Sequence, residues 1–382
     1  MNFLFSRLLF TILVILSIGF SSLQSPVGAE VRLEHDREYE FLPHSSRSSS
    51  KGLEPTNHLL KDSSIEPSEE KLCRVLSLDG GGIRGIITLV WLNEMEKRTG
   101  KRVSDMFDVI AGTSTGSLIA AALSKENPMA VEDILALYKT RSNEIFHRSL
   151  AHRIKTLDGL TGPRYEEDGL EAILEEIVGD TKLSQLKKTF IATAFDIEAQ
   201  ENYFFNSEEA KLYPDIDFYV KDVLRASTAA PTFFRPKMIT MADVELSLVD
   251  GGIWANNPAG IAYDYASEVN PNLMLISLGT GMTTEGLMHD QATKAGVVQW
   301  IKPVINGTMS AASKDVDNYL HRSLPPVEGE QRYYRFQVAL DKASREMDDY
   351  SGDNLERLIA HANHLVEKDQ RFARMCQSLK NS

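Results

Sequence analysis

The chain has 382 residues, enough for one large domain or two ordinary ones, and its 42% hydrophobic residues supply a substantial core. Its formal charge is −13, from 54 acids against 41 Lys and Arg. That balance argues against a nucleic-acid binder, which needs a basic surface, and against docking on an anionic membrane by net charge, though a local basic patch still allows the latter.

Arg7 is the sole charge in residues 1–29, and residues 8–20 are uncharged and mostly apolar. Small and polar residues follow, ending in Val27-Gly28-Ala29. This is the layout of a secretory signal peptide cleaved after Ala29, and it predicts an exported or secreted protein. The rival reading is an uncleaved membrane anchor, since residues 8–29 carry no charge; the apolar run is shorter than the roughly 20 residues a spanning helix needs. Residues 30–70 are polar, with Ser45-Ser-Arg-Ser-Ser-Ser50, Pro55 and Pro67, and read as a disordered linker. His35, His44 and His58 are scattered through it and make no metal site.

The folded part is expected over residues 71–382, with its motifs in about 72–340 and a helical tail beyond. Leu72-Cys-Arg-Val-Leu-Ser-Leu78 reads as a strand, followed by Asp79-Gly80-Gly81-Gly82-Ile-Arg84-Gly85 and a helix over 86–98 that Gly100 stops. Val109-Ile-Ala111 is a short buried strand running into Gly112-Thr-Ser114-Thr-Gly116 and then an apolar helix. Further helices are predicted over 130–146 and 170–178, the latter closed by Gly179. Residues 190–195 read as a strand with 202–205 pairing beside it, 220–226 as a helix, and 246–249 as a strand entering Asp250-Gly251-Gly252. Pro258 suits the start of a helix from Ala259. A strand over 273–278, helical patterns near 293–320 and 354–367, and a strand over 333–338 complete the chain.

Apolar strands alternating with helices predict an α/β fold with a mainly parallel central sheet and helices on both faces. In such folds functional groups gather at the carboxyl ends of strands. The glycine run, Ser114 and Asp250 all sit where a predicted strand ends. Cys73 reads as a small buried hydrophobe, and the two cysteines, Cys73 and Cys376, form no disulfide framework or metal spacing.

The Ser114 turn has the strand–turn–helix setting in which G-x-S-x-G carries meaning, with the serine at the tip and a helix N-terminus favouring negative charge beside it. Acyl transfer by serine needs a nucleophile, a base and donors for the oxyanion. Ser114 is the candidate nucleophile, Gly80, Gly81 and Gly82 the candidate oxyanion loop, and Asp250 the candidate base. Arg84 either adds charge there or orients the loop through carbonyls. His147, His152, His289, His321, His361 and His364 follow Ser114, but none ends an apolar strand or sits in a glycine turn. A Ser–Asp dyad therefore fits better than a triad. Such a carboxylate must lie within reach of the serine and be little solvated, since its ordinary pKa of about 4 leaves little driving force. The glycine run also matches G-x-G-x-x-G, but no acid closes the second strand and no P-loop lysine is present, so nucleotide binding is set aside. Tyr203-Phe-Phe205 and Phe233-Phe234 read as core aromatics, with an acyl channel as the alternative.

Taken together, Asp79-Gly-Gly-Gly-Ile-Arg-Gly85, Gly112-Thr-Ser-Thr-Gly116 and Asp250-Gly-Gly252 resemble the patatin-like phospholipase family. Ser227-Thr-Ala-Ala-Pro-Thr-Phe233, Asn256-Asn257-Pro258 and Ser277-Leu-Gly-Thr-Gly281 extend the resemblance, which covers roughly residues 72–340. Ser117 departs from it, since the family often has glycine there. The resemblance implies a patatin-like three-layer sandwich and a lipid acyl hydrolase acting on phospholipids or other acylglycerols. By it, Ser114 is the nucleophile, Asp250 its base, and Gly80, Gly81, Gly82 and Arg84 the oxyanion site. It implies no metal or organic cofactor, and a lipid substrate at a membrane or micelle surface. Transfer to a non-water acceptor, or an idle lipid-binding protein on the same fold, remain the alternatives.

Overall fold

The computed structural model describes residues 71–381 apart from 158, 160 and 283–285. The expected export signal (1–29) and the polar linker (30–70) lie outside the described residues. Eight strands form one sheet: β1 (Cys73–Leu78), β2 (Val109–Gly112), β3 (Thr189–Asp196), β4 (Glu201–Asn206), β5 (Lys237–Met241), β6 (Val244–Asp250), β7 (Leu273–Leu278) and β8 (Tyr333–Phe336). The hydrogen-bonded order is β5-β6-β3-β2-β1-β7-β8, with β4 also on β3. The run β3-β2-β1-β7-β8 is parallel, and β4, β5 and β6 add antiparallel pairs, so the sheet is mixed and mostly parallel.

The main helices are α1 (Gly85–Thr99), α2 (Thr115–Ser124), α3 (Val131–Thr140), α4 (Asp168–Val178), α5 (Val220–Ser227), α6 (Ala259–Val269), α7 (Val297–Ser323), α8 (Gly352–Lys368) and α9 (Gln370–Asn381). They cover both faces, giving a three-layer α/β sandwich. On one face, Val75, Val109, Leu273 and Leu275 pack with Ala259, Ala262 and Ala266 of α6. Three alanines on one helical stripe let that helix approach the sheet closely. On the other face α2 lies against β1, β2 and β3, and α1 is covered by α8 and α9. Trp91 of α1 is wholly buried and donates its indole N–H to the Ala362 carbonyl of α8 at 3.0 Å. Among the described residues, no helix is long and apolar enough to cross a membrane.

Besides β5, which the sequence reading did not anticipate, two local features depart from it. The helix expected over 130–146 stops at Thr140, and a short turn, Ser142–Ile145, follows. The Ser142 hydroxyl takes the Tyr138 carbonyl at 2.5 Å, an acceptor the helix would have used, and a side chain competing in this way favours a break. Arg141 at the break is clamped by Glu144 and by Glu176 of α4. The second departure is the direction of β6. Asp250 was expected among the carboxyl ends of parallel strands, but β6 runs antiparallel to β3.

The register explains why Asp250 nevertheless reaches the same place. Ala192 of β3 pairs with Gly112 and Phe205, and Ala194 pairs with Asp250 and Tyr203. Thus β4 holds one edge of β3, while β2 and β6 share the other edge end to end. They arrive from opposite directions and stop on either side of Thr193. Because β6 lies beyond the end of β2 on that edge, its reversed direction brings its last residue to the carboxyl end of β2.

Candidate active site

The chain passes from β2 into α2 through a turn with no room for side chains at its glycines. A Cβ on Gly112 would lie 2.3 Å from the Gly116 carbonyl oxygen, and one on Gly116 would lie 2.2 Å from the Leu78 carbonyl oxygen. Ser114 at the tip has φ 54° and ψ −123°, a conformation that costs an L-residue of order 1–3 kcal/mol and needs support. The support is visible. The Ser114 N–H donates to the Ser227 hydroxyl at 3.1 Å, and its carbonyl accepts from the Ser117 N–H at 2.9 Å and the Ser117 hydroxyl at 2.6 Å. Ser117, the departure from the family pattern, therefore braces the turn.

Thr113, just before the tip, ties the two strand ends together. Its hydroxyl meets the Thr193 hydroxyl at 2.7 Å and donates to the Ala255 carbonyl at 2.6 Å, beyond the Asp250 turn. Asp250 is buried, its N–H donating to the Ala229 carbonyl at 3.0 Å. Its Oδ1 accepts from the Gly252 N–H at 2.8 Å, and the Ser114 side chain faces the carboxylate closely enough to favour its charged form. Burial pushes the pKa of Asp250 up from 3.8 to about 6, while the bonds from Ser114 and Gly252 pull the other way.

The glycine loop follows β1 and lies beside the serine. The Gly80 N–H is spent on the Asn256 carbonyl at 3.0 Å, and its own carbonyl accepts from the Thr280 hydroxyl at 2.6 Å. The sequence reading had all three glycines as donors; this bond removes Gly80. Among the described residues, the N–H groups of Gly81, Gly82 and Thr115 meet no protein acceptor. Gly82 has φ 58°, and a Cβ there would lie 2.2 Å from the Met347 carbonyl oxygen. Arg84 is buried, with its Nε donating to the Gly81 carbonyl at 3.3 Å. Of its two suggested parts, orienting the loop is the one its contacts fit. Burial lowers its pKa to about 10.

Sequence reasoning missed the group beneath this loop. Asp79, buried, receives both terminal nitrogens of Arg335 from β8, at 2.7 and 2.6 Å. Arg335 also donates to the Ser277 hydroxyl at 2.8 Å and the Ser313 hydroxyl at 3.2 Å. Ser277 in turn donates to Asn257 Oδ1 at 3.1 Å. The three secondary segments of the resemblance thus supply Ser227, Asn256, Asn257, Ser277 and Thr280, all of them holding the loops. That was the one signal for them in the sequence, and it named no roles. The aromatics Tyr203, Phe205 and Phe234 are buried core residues. Both cysteines are free thiols, raised to about 11 by burial. Among the described residues, no group of three or more His, Cys, Asp or Glu is placed to hold a metal.

The patatin-like phospholipase family profile matches residues 76–263, a span that includes the glycine loop, Ser114 and Asp250. Patatin-like protein 2 of Oryza sativa subsp. indica is 32% identical over 356 residues, covering 80% of this chain and 87% of that one. The chain belongs to the patatin-like phospholipase family. Another relative, patatin-like protein 1 of Arabidopsis thaliana, is 33% identical over 336 residues, covering 76% of this chain and 81% of its own. Among solved structures, human GIVD cytosolic phospholipase A2 superposes with a TM-score of 0.44 at 11% identity, covering 81% of this chain and 60% of that one. As a patatin-like phospholipase, the protein is a lipid acyl hydrolase.

Proposed function

We propose that this patatin-like phospholipase cleaves fatty-acyl esters of phospholipids or other acylglycerols through a Ser114–Asp250 dyad and an acyl-enzyme. The carrying observation is the buried Asp250 carboxylate facing Ser114 at a strained turn, beside a glycine loop whose Gly81 and Gly82 N–H groups meet no protein acceptor. A carboxylate raised to about 6 is a better base for a hydroxyl than one in water, so the burial that costs stability serves the chemistry.

In the first half-reaction, Asp250 takes the Ser114 proton as Oγ attacks the acyl carbonyl carbon. The N–H groups of Gly81 and Gly82 receive the developing oxyanion, with Arg84 holding the Gly81 peptide in place. The ester C–O bond breaks, and Asp250 returns the proton to the leaving alkoxide. In the second, a water gives a proton to Asp250 and attacks the acyl carbon. The Ser114 ester breaks, the fatty acid departs, and the proton goes back to Ser114 Oγ. The test is fatty-acid release from defined phospholipids and neutral acylglycerols by wild type, Ser114→Ala and Asp250→Asn. Both variants should remain folded and lose about a thousandfold or more in turnover, the scale seen when a nucleophile or its base is removed. Full activity in Ser114→Ala would falsify the mechanism.

A further inference from the structure

The amino-terminal half of α7, leading into Met309 at the site, has almost nothing to pack against. From Gln299 to Thr308 every residue is exposed except Pro303. Trp300, Ile301, Val304 and Ile305 recur at the spacing of one helical face, and Trp300 and Val304 are 41% and 54% exposed. Met309, one turn further on, lies against Gly252 beside Asp250. A second apolar ridge stands on the short helix Leu150–Lys155, where Leu150 and Ile154 are 71% and 68% exposed. Residues 346–350 join α7 to residues that flank the second ridge. Glu346 pairs with Lys302 at 2.6 Å, Asp348 with Arg164 at 2.6 Å, and Tyr350 stacks on Phe146. The same loop touches the candidate oxyanion site, since the Met347 carbonyl accepts the Ile83 N–H at 2.9 Å.

Charge follows the same two segments. Residues 291–314 contain Lys294, Lys302 and Lys314 and no acid; residues 145–157 contain Arg148, Arg153 and Lys155 and no acid. In a chain of net charge −13, both exposed apolar ridges sit on stretches that carry cations and no acid. Apolar side chains on one helical face flanked by cations are the composition of an element that lies in a lipid–water interface, with lysines reaching the head groups. We infer that these two ridges seat the protein on an anionic lipid surface, with Trp300 and Val304 entering the acyl region beside the Ser114–Asp250 site. The inference rests on the lipid hydrolase reading of that site, because it supplies the route by which an aggregated substrate reaches it.

The experiment uses the full chain and vesicles of phosphatidylcholine with and without about one-fifth phosphatidylserine. Binding is read in the Ser114→Ala background, so that no lipid is consumed. Activity of the otherwise wild-type chain is read on the vesicles and on a soluble short-chain ester. The expected result is vesicle binding that strengthens with phosphatidylserine and a blue shift of Trp300 emission. The pair Trp300→Ser with Val304→Ser should lower binding and vesicle hydrolysis by about tenfold or more, the scale of losing buried apolar side chains. The soluble ester should be cleaved within about twofold of wild type, because neither residue touches the dyad. Leu150→Ser with Ile154→Ser should act in the same direction. Unchanged vesicle binding in both pairs overturns the inference. So does a wild-type dimer that becomes a monomer in the variants without loss of binding, which assigns the ridges to a second copy. If Ser114→Ala still cleaved the soluble ester, the dyad mechanism would fall while the binding result stood on its own.

Discussion

Asp250 ends a strand that runs against β3, and its carboxylate faces Ser114, which follows a strand that runs with β3. The two side chains meet because both strands pair with the same edge of β3 and stop at Thr193. Their spacing is therefore set by backbone register and owes little to loop length.

The pH dependence follows from the burial of Asp250. Its pKa is raised from 3.8 to about 6, and the proposed base must be ionised. Turnover should therefore rise with pH through about 6, by close to tenfold per pH unit on the acid limb, and level off above it. A profile already flat down to pH 4 would remove Asp250 from the role of base.

The same burial predicts a stability effect of opposite sign to the activity effect. A carboxyl with a raised pKa in the folded state favours folding in its protonated form. That contribution is complete below about pH 4 and is lost as pH rises through about 6. Asp250→Asn removes the charge and keeps an oxygen for the Gly252 N–H. The variant should be inactive yet more resistant to urea than wild type at pH 8, by on the order of 3 kcal/mol, with the gap closing at pH 4. A variant less stable than wild type at pH 8 would contradict this.

Asp79 and Arg335 form a buried two-pronged pair under the glycine loop. Arg335→Met leaves an unpaired carboxylate in a dry site and should cost about 3–5 kcal/mol in denaturant unfolding. Adding Asp79→Asn should restore a large share of that loss. Equal stability of the single and double variants would show that the partner charge is not the cause.

No described contact joins a histidine to Ser114 or Asp250. His321 bonds the Asp317 carbonyl at 2.9 Å, and His361 pairs with Asp341 at 3.2 Å. Alanine at His289, His321, His361 or His364, one at a time, should leave turnover within about threefold. Collapse at any one of them would replace the dyad with a triad.

Much of this was legible in the sequence because the decisive signals are short. The serine turn, the glycine run and the Asp250 turn each announce themselves within seven residues, and β2 and β7 carry short apolar runs. What was not legible is set by partners far away in the chain. That the Gly80 N–H is taken depends on Asn256, and that Asp79 is paired depends on Arg335, 256 positions on. The reversal of β6 is invisible because an apolar strand reads the same in either direction. The break at Arg141 has no proline or glycine to mark it.

The shared edge of β3 also sorts the molecule into parts that tolerate change in length and parts that do not. Connections remote from both strand ends can gain or lose segments without altering the distance from Ser114 to Asp250, whereas residues 227–229 cannot, because Ser227 and Ala229 hold the two ends. One residue inserted between Ala192 and Ala194 would pull the two strand ends apart by roughly 3.3 Å, the rise of a single strand residue. Relatives can therefore diverge in girth around the site while this eight-residue strand acts as its ruler.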